Sequence, residues 1–244
     1  MGINFAFLAM DMIVNHAAKV HSMFGGQFRC PMVLRTTSGG GRQLGSTHSQ
    51  TVEHLYAHFP GLKVVSPSNA RDMKGLLKAA IRTDDPVMFV EQATMYSEKG
   101  DVPDDVDFLL PIGKSEVKRE GRHCTVVAYS KMVGVSLKAA AELAKDGIEC
   151  TVIDLRTLRP LDMEPIVDSF KQTNHCVTVE ESWAMYGVGA EVAARLYETC
   201  LDYVDAPIKR VATKDVPLAY SGPLERYALP SVDDVVKAVK ETVK

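Results

Sequence analysis

The chain has 244 residues, 46% of them hydrophobic and 24% charged, with a formal net charge of -3. That balance is ordinary for a folded globular protein of one large domain or two modest ones. It excludes a basic nucleic-acid surface, and the longest apolar run, Ile3 to Met10, is too short to span a bilayer, so neither nucleic acid nor membrane is an expected partner.

The opening stretch from Phe5 to Val20 carries Met10, Ile13, Val14, Ala17 and Ala18 at helical spacing, which predicts a helix. Gly25-Gly26 breaks it, and Met32 to Arg35 reads as a short strand. Residues Thr51 to His58 predict a helix stopped by Pro60-Gly61. A strand at Leu62 to Val65 and a turn at Ser66 to Asn69 lead into a helix over Ala70 to Arg82, with Asn69 as its cap. The continuous apolar run Val87 to Val90 predicts a strand buried on both faces. Residues 97 to 122 turn charged and Pro-containing, and the domain boundary is placed near 110 to 118. Beyond it, strands are predicted at Cys124–Tyr129, Glu149–Leu155, His175–Glu180 and Ile208–Ala212. Helices are predicted at Val133–Lys145, Met163–Gln172, Val188–Tyr197 and Val232–Lys244. Gly147 reads as the residue just past the first of these helices. Ser231 with Asp234 reads as a capping box for the last. Strands alternating with helices of this length predict an α/β fold with mostly parallel sheets flanked by helices.

The strand Met32 to Arg35 runs into Gly39-Gly-Gly-Arg-Gln-Leu-Gly45 and ends on His48-Ser-Gln50. Glycines let backbone approach a ligand closely, and a histidine can exchange a proton near neutral pH. The spacing is neither G-x-G-x-x-G nor a P-loop. Local composition leaves two readings, a mobile surface loop or a site at a strand's C-terminal end. His54 and His58 lie four apart on one helical face without the H-E-x-x-H pattern, so local hydrogen bonding is expected of them. His16, His21, His123 and His175 read as structural. Glu180-Glu181 is expected at an exposed helix start or an interface. Five cysteines without a C-x-x-C pair fit a reducing compartment. No secretory signal is visible. The cytoplasm is therefore expected, with the mitochondrial matrix or a plastid as the alternative if a targeting segment has been lost.

A series of ordered strings carries a family resemblance: Asn4-Phe5, Asp11, Asn15, Ala17-Ala-Lys19 and Gly25-Gly26; His48-Ser-Gln50 and Pro60-Gly-Leu-Lys-Val-Val65; Lys74-Gly-Leu-Leu-Lys78 and Pro111-Ile-Gly-Lys114; Asp154-Leu-Arg-Thr-Leu-Arg-Pro160, Tyr186-Gly-Val-Gly189, Asp205-Ala-Pro207 and Asp215-Val-Pro217. Across essentially its whole length the chain resembles the β subunit of the thiamine-diphosphate-dependent 2-oxoacid dehydrogenase E1 component. The pyruvate, branched-chain and acetoin dehydrogenase branches share this frame, and pyruvate is the expected substrate.

The resemblance implies a truncated thiamine-diphosphate pyrimidine-binding domain at 1–112 and a transketolase C-terminal-like domain at 113–244. It implies that Phe5 packs on the cofactor's aminopyrimidine and that His48 acts in proton handling during acyl transfer to lipoyl. Met32, Ala80, Ile81, Thr83 and Asp85 fall where some members hold a structural potassium ion, largely through backbone carbonyls. The implied partners are an E1 α subunit, in an α2β2 heterotetramer, and the E2 dihydrolipoamide acyltransferase. No Gly-Asp-Gly motif for a diphosphate-bound Mg²⁺ is present, so the α subunit is expected to supply that end of the pocket. Family members carry more chain at the N-terminus, including a glutamate that activates the pyrimidine; none precedes Phe5 here. Residues 1 to about 96 are therefore expected to expose apolar surface or edge strands. The rival expectations are a non-catalytic assembly subunit binding E1 α or E2 and, more distantly, a transketolase-like single-chain enzyme.

Overall fold

The computed structural model describes residues 2–244, so Met1, the first residue of the first predicted domain, lies outside it. Two sheets organise the chain. The first takes β1 (Val33–Ser38), β3 (Val87–Gln92), β2 (Lys63–Val65) and β7 (Thr157–Arg159), in that order across the sheet. β1 and β2 both run parallel to β3, with Val33 opposite Val87 and Ser38 opposite Gln92. The second sheet takes β4 (Glu116–Arg119), β6 (Cys150–Asp154), β5 (Cys124–Ala128), β8 (Cys176–Trp183) and β9 (Lys209–Thr213), in that order. All its pairings are parallel except β4 on β6.

β7 was not foreseen. It is only three residues long, comes from the second half of the chain, and pairs antiparallel with β2 at the edge of the first sheet. β4 and the short helix α7 (Gly222–Ala228) are also absent from the sequence reading. None of the three is long enough to show a period.

The predicted opening helix is corrected. Instead of one α-helix there is a 3₁₀ segment at Ile3–Ala9, a π segment at Met12–Ala17 and a single α turn, α1, at Val20–Met23. Its apolar residues still face inward: Ile3, Ile13, Val14 and Ala18 pack against Tyr56, Leu62, Val64 and Met88. Outward, Leu8 is 92% exposed, Met12 61% and Met23 72%, with Phe24 and Phe28 beside them. β1 forms an edge of its sheet, bridged among the described residues by Gly2 against Thr37. The expected exposed apolar surface and sheet edge are therefore both present.

The remaining helices follow from caps and periodicity. The next is α2 (Glu53–Ala57). α3 (Ala70–Arg82) begins where the Asn69 side chain accepts the Asp72 N–H, and it buries Leu76 and Ala80 on Val65, Val87 and Phe89. α4 (Lys131–Lys145) ends in a Schellman motif: the N–H of Ile148 bonds the Leu143 carbonyl and that of Gly147 bonds Ala144, with Gly147 at φ +79°. α5 (Glu164–Thr173) and α6 (Val188–Cys200) cover one face of the second sheet. α4 and α8 (Val232–Thr242) cover the other, α8 opening on the capping box of Ser231 with Asp234. One apolar cluster runs through both sheets, joining Tyr56, Val64 and Met88 to Val127, Leu155, Phe170 and Leu196.

Candidate active site

β1 delivers its C-terminal end to the Gly-rich loop, residues 39–50. Ser38 and Gln92 stand side by side there as partners across the ladder. The backbone then needs glycine for two separate reasons. Gly39 has φ +90°, and a Cβ on it would lie 2.0 Å from Gln92 Nε2. Gly45 has φ +77°, and a Cβ there would enter the Tyr220 ring at 2.4 Å.

The loop brings His48 to Phe5. Their rings meet edge to face with centroids 5.0 Å apart. Phe5 sits on the 3₁₀ segment, whose neighbour Asn4 accepts the Gln50 N–H through Oδ1 at 3.2 Å. The His48 N–H bonds the Gly45 carbonyl at 3.2 Å, and its Nδ1 lies 2.9 Å from Thr47 Oγ1. The imidazole is exposed while the next residue, Ser49, is buried with a hydroxyl that has no hydrogen-bond partner among the described residues. The two residues singled out from opposite ends of this stretch are thus in contact.

Beneath the loop lies a polar floor of buried carboxyls, of which the sequence singles out Glu180-Glu181 but neither Glu53 nor the burial. Glu53, the first residue of α2, is 1% exposed and accepts the Ser38 hydroxyl. Glu181 accepts the Gly40 N–H at 2.6 Å and the Gln92 amide at 3.0 Å. Glu180 accepts the first N–H groups of α6, from Val188 at 3.0 Å and Gly189 at 2.9 Å. The expectation of an exposed Glu180-Glu181 pair is corrected: both are buried, because β8 continues to Trp183 and carries them beneath the Gly-rich loop. The helix-entry half of that expectation holds for Glu180, which accepts the first N–H groups of α6. His54 lies 3.0 Å from the Ser182 hydroxyl, and His123 accepts the Glu149 N–H at 2.8 Å, both structural roles. A crevice of about 720 Å³ opens between α2 and the start of α6, but neither Phe5 nor His48 lines it.

Burial dominates the ionisation of this floor. It pushes the Glu53 carboxyl up to about 7, against the smaller opposing pull of the Ser38 hydroxyl. It lifts Glu180 to about 7 as well, and raises Glu181. A carboxyl whose folded value is raised binds its proton more tightly folded than unfolded. Stability from Glu53 is therefore present below about 4.5 and is lost as pH rises to about 7. Glu53→Gln keeps the acceptor for Ser38 and removes the charge. It should stabilise the protein at pH 8 by up to about 3 kcal/mol and by little at pH 5. Urea denaturation at the two pH values checks this, and an equal effect at both would refute it.

Four of the five residues expected around potassium follow one another at the C-terminal end of α3. Ala80 and Ile81 end α3, Thr83 is its C-terminal cap, and Asp85 follows. The Met32 carbonyl accepts the Val87 N–H at 2.8 Å, two residues past Asp85. The side-chain oxygens are already engaged: Lys63 Nζ lies 2.9 Å from both Thr83 Oγ1 and Asp85 Oδ2. A cation there fits only on main-chain carbonyls, which helix C-termini leave without intrahelical partners. Among the described residues, no group of three His, Cys, Asp or Glu side chains is placed to hold a metal ion. Nor is any helix long and apolar enough to cross a membrane.

Comparison with known proteins fits this geometry. Residues 1–98 match the transketolase pyrimidine-binding domain and residues 113–235 the transketolase C-terminal domain. The chain is 47% identical over 241 residues to the pyruvate dehydrogenase E1 component subunit beta of Rickettsia felis, covering 99% of this chain and 74% of that one. The chain belongs to the pyruvate dehydrogenase E1 β-subunit family. It is equally 47% identical to the mitochondrial subunit beta-2 of Oryza sativa subsp. japonica, over 98% of this chain and 65% of the rice protein. The chain thus spans about two thirds to three quarters of these relatives, which include bacterial and mitochondrial forms. A solved split-gene transketolase, an inactive β4 tetramer, superposes with a TM-score of 0.79 at 26% identity, over 99% of this chain and 74% of that one.

Proposed function

We propose that this chain acts with an E1 α subunit, as an α2β2 heterotetramer, in decarboxylating a 2-oxoacid and transferring the acyl group to the lipoyl arm of E2. Pyruvate is the 2-oxoacid favoured by the names of the relatives. The observation that carries the reading is the Phe5–His48 contact at the C-terminal end of β1. We take residues 1–112 and 113–244 as the two domains, and a reducing compartment as the setting for the five unpaired thiols.

Thiamine diphosphate, when bound, supplies the carbon nucleophile and the electron sink for loss of CO₂. Phe5 offers an aromatic face to the aminopyrimidine, while the diphosphate and its Mg²⁺ fall to the α subunit. His48 is engaged through Nδ1 by Thr47, which leaves Nε2 as the atom that exchanges a proton with the dihydrolipoyl sulfur. The glycines of the loop keep side chains out of the approach to that nitrogen. Potassium, where it binds, would rest on the main chain of Met32, Ala80, Ile81, Thr83 and Asp85.

The test is co-expression with an E1 α subunit, followed by titration with thiamine diphosphate and a panel of 2-oxoacids. The complex should bind the cofactor and decarboxylate pyruvate, and the chain alone should do neither. Turnover by the chain alone, or an inert cofactor-free complex, would sink the proposal.

A further inference from the structure

We propose that Glu225, on α7 of the second domain, is a positioning residue that holds the His48 loop from the far end of the chain. The proposal rests on the reading of His48 given above. Glu225 is 1% exposed, and its carboxylate accepts the Gln43 N–H through both oxygens, at 3.0 and 3.2 Å. Among the described residues the carboxylate takes no other hydrogen bond and forms no ion pair, the residue's remaining bonds being main-chain ones of α7. A buried carboxylate is costly unless its oxygens are satisfied. Here its bonding is spent on one loop amide, 182 residues away in sequence.

Gln43 is an unusual residue to hold. Its φ of +55° is left-handed, a conformation that side-chain-bearing residues keep only where their surroundings impose it. The rest of the 218–229 segment supplies those surroundings. Leu218 and Leu229 press on Gly40, where an added Cβ would meet them at 2.8 and 3.2 Å. Tyr220 lies over Gly45, whose carbonyl accepts the His48 N–H. The sequence of contacts from Glu225 to Gln43, and from Tyr220 to Gly45 to His48, ties the imidazole to the second domain. Proton transfer to a substrate arm depends on such placement, and small displacements are expensive in rate.

The experiment uses the chain in complex with an E1 α subunit. It compares Glu225→Ala, Glu225→Gln and the parent by amide hydrogen exchange and by the kinetics of lipoyl acylation. In Glu225→Ala, exchange across residues 39–50 should quicken about tenfold or more while α8 keeps parental protection. The kcat for acylation should fall about tenfold, with KM for the 2-oxoacid within about twofold. Gln retains an acceptor and should restore both. Should Glu225→Ala not fold, Tyr220→Ala removes an exposed ring from Gly45 and should loosen the same loop. Parental exchange at 39–50 overturns the proposal, and so does a loosened loop with undiminished acylation. If the parent complex itself turns nothing over, the reading of His48 fails, and the exchange data alone still decide whether Glu225 holds the loop.

Discussion

Replacing His48 by alanine in the reconstituted complex should lower acylation of lipoamide by about 10²- to 10⁴-fold, the usual contribution of a positioned proton-transfer group. Decarboxylation measured with an artificial electron acceptor should fall much less. The separation follows from where the imidazole sits. It lies exposed on the Gly-rich loop, edge-on to Phe5, with Nδ1 against Thr47. On the proposed reading, a group so exposed would meet an incoming arm rather than the substrate carboxylate. Thermal melting should be nearly unchanged, since an exposed side chain contributes little packing. Equal activity of variant and parent in both assays would remove His48 from the mechanism. An equal loss in both would move it to the earlier step.

Asp72→Ala should destabilise the chain by roughly 3–5 kcal/mol, the cost of stripping one partner from a buried ion pair. Asp72 is fully buried on α3 and accepts two bonds from the Arg156 guanidinium, both at 2.9 Å. Arg156 belongs to the other half of the chain and is itself buried, in a left-handed conformation at φ +57°. Among the described residues, Glu116 is the one carboxylate left to its guanidinium when Asp72 is gone. Burial opposes the Asp72 charge, but the Arg156 bonds and charge outweigh it, with Lys118 and Asn69 adding to them, and hold the carboxyl below its ordinary value of 3.8. The sign follows: the stabilisation is present above about 3.8 and is lost as pH falls through the lower folded value. The variant should therefore show its full deficit at pH 7 and a shallower acid limb in denaturation. A deficit under about 1 kcal/mol at pH 7 would mean that the pair contributes no more than an exposed one.

Particular residues show how far the sequence could be read. Ala70 to Arg82 is helical with the predicted bounds, because Asn69 caps it locally and its apolar stripe is periodic. Ser231 with Asp234, and Gly147 past α4, are equally local and equally legible. The first helix was misread because periodicity reports which face is apolar, not the pitch: Ile3, Ile13 and Val14 do face the core, on 3₁₀ and π turns. β7 was invisible because its three residues are a strand only through their register with β2. In the site, Phe5 and His48 came from family motifs, and the fold brings their rings together. Glu181 and Glu225 carried no motif, and they reach the loop from 141 and 182 residues away.

The alternation of strands and helices and the caps at Asn69, Gly147 and Ser231 were set by neighbours within a few positions, so the sequence by itself determined them. The tertiary structure alone decided which carboxylates lie buried beneath the loop, and that β7 crosses to the edge of the first sheet. Desolvation and strand pairing are properties of what surrounds a group. For Glu53, Glu181 and Glu225, what surrounds them is assembled from distant parts of the chain.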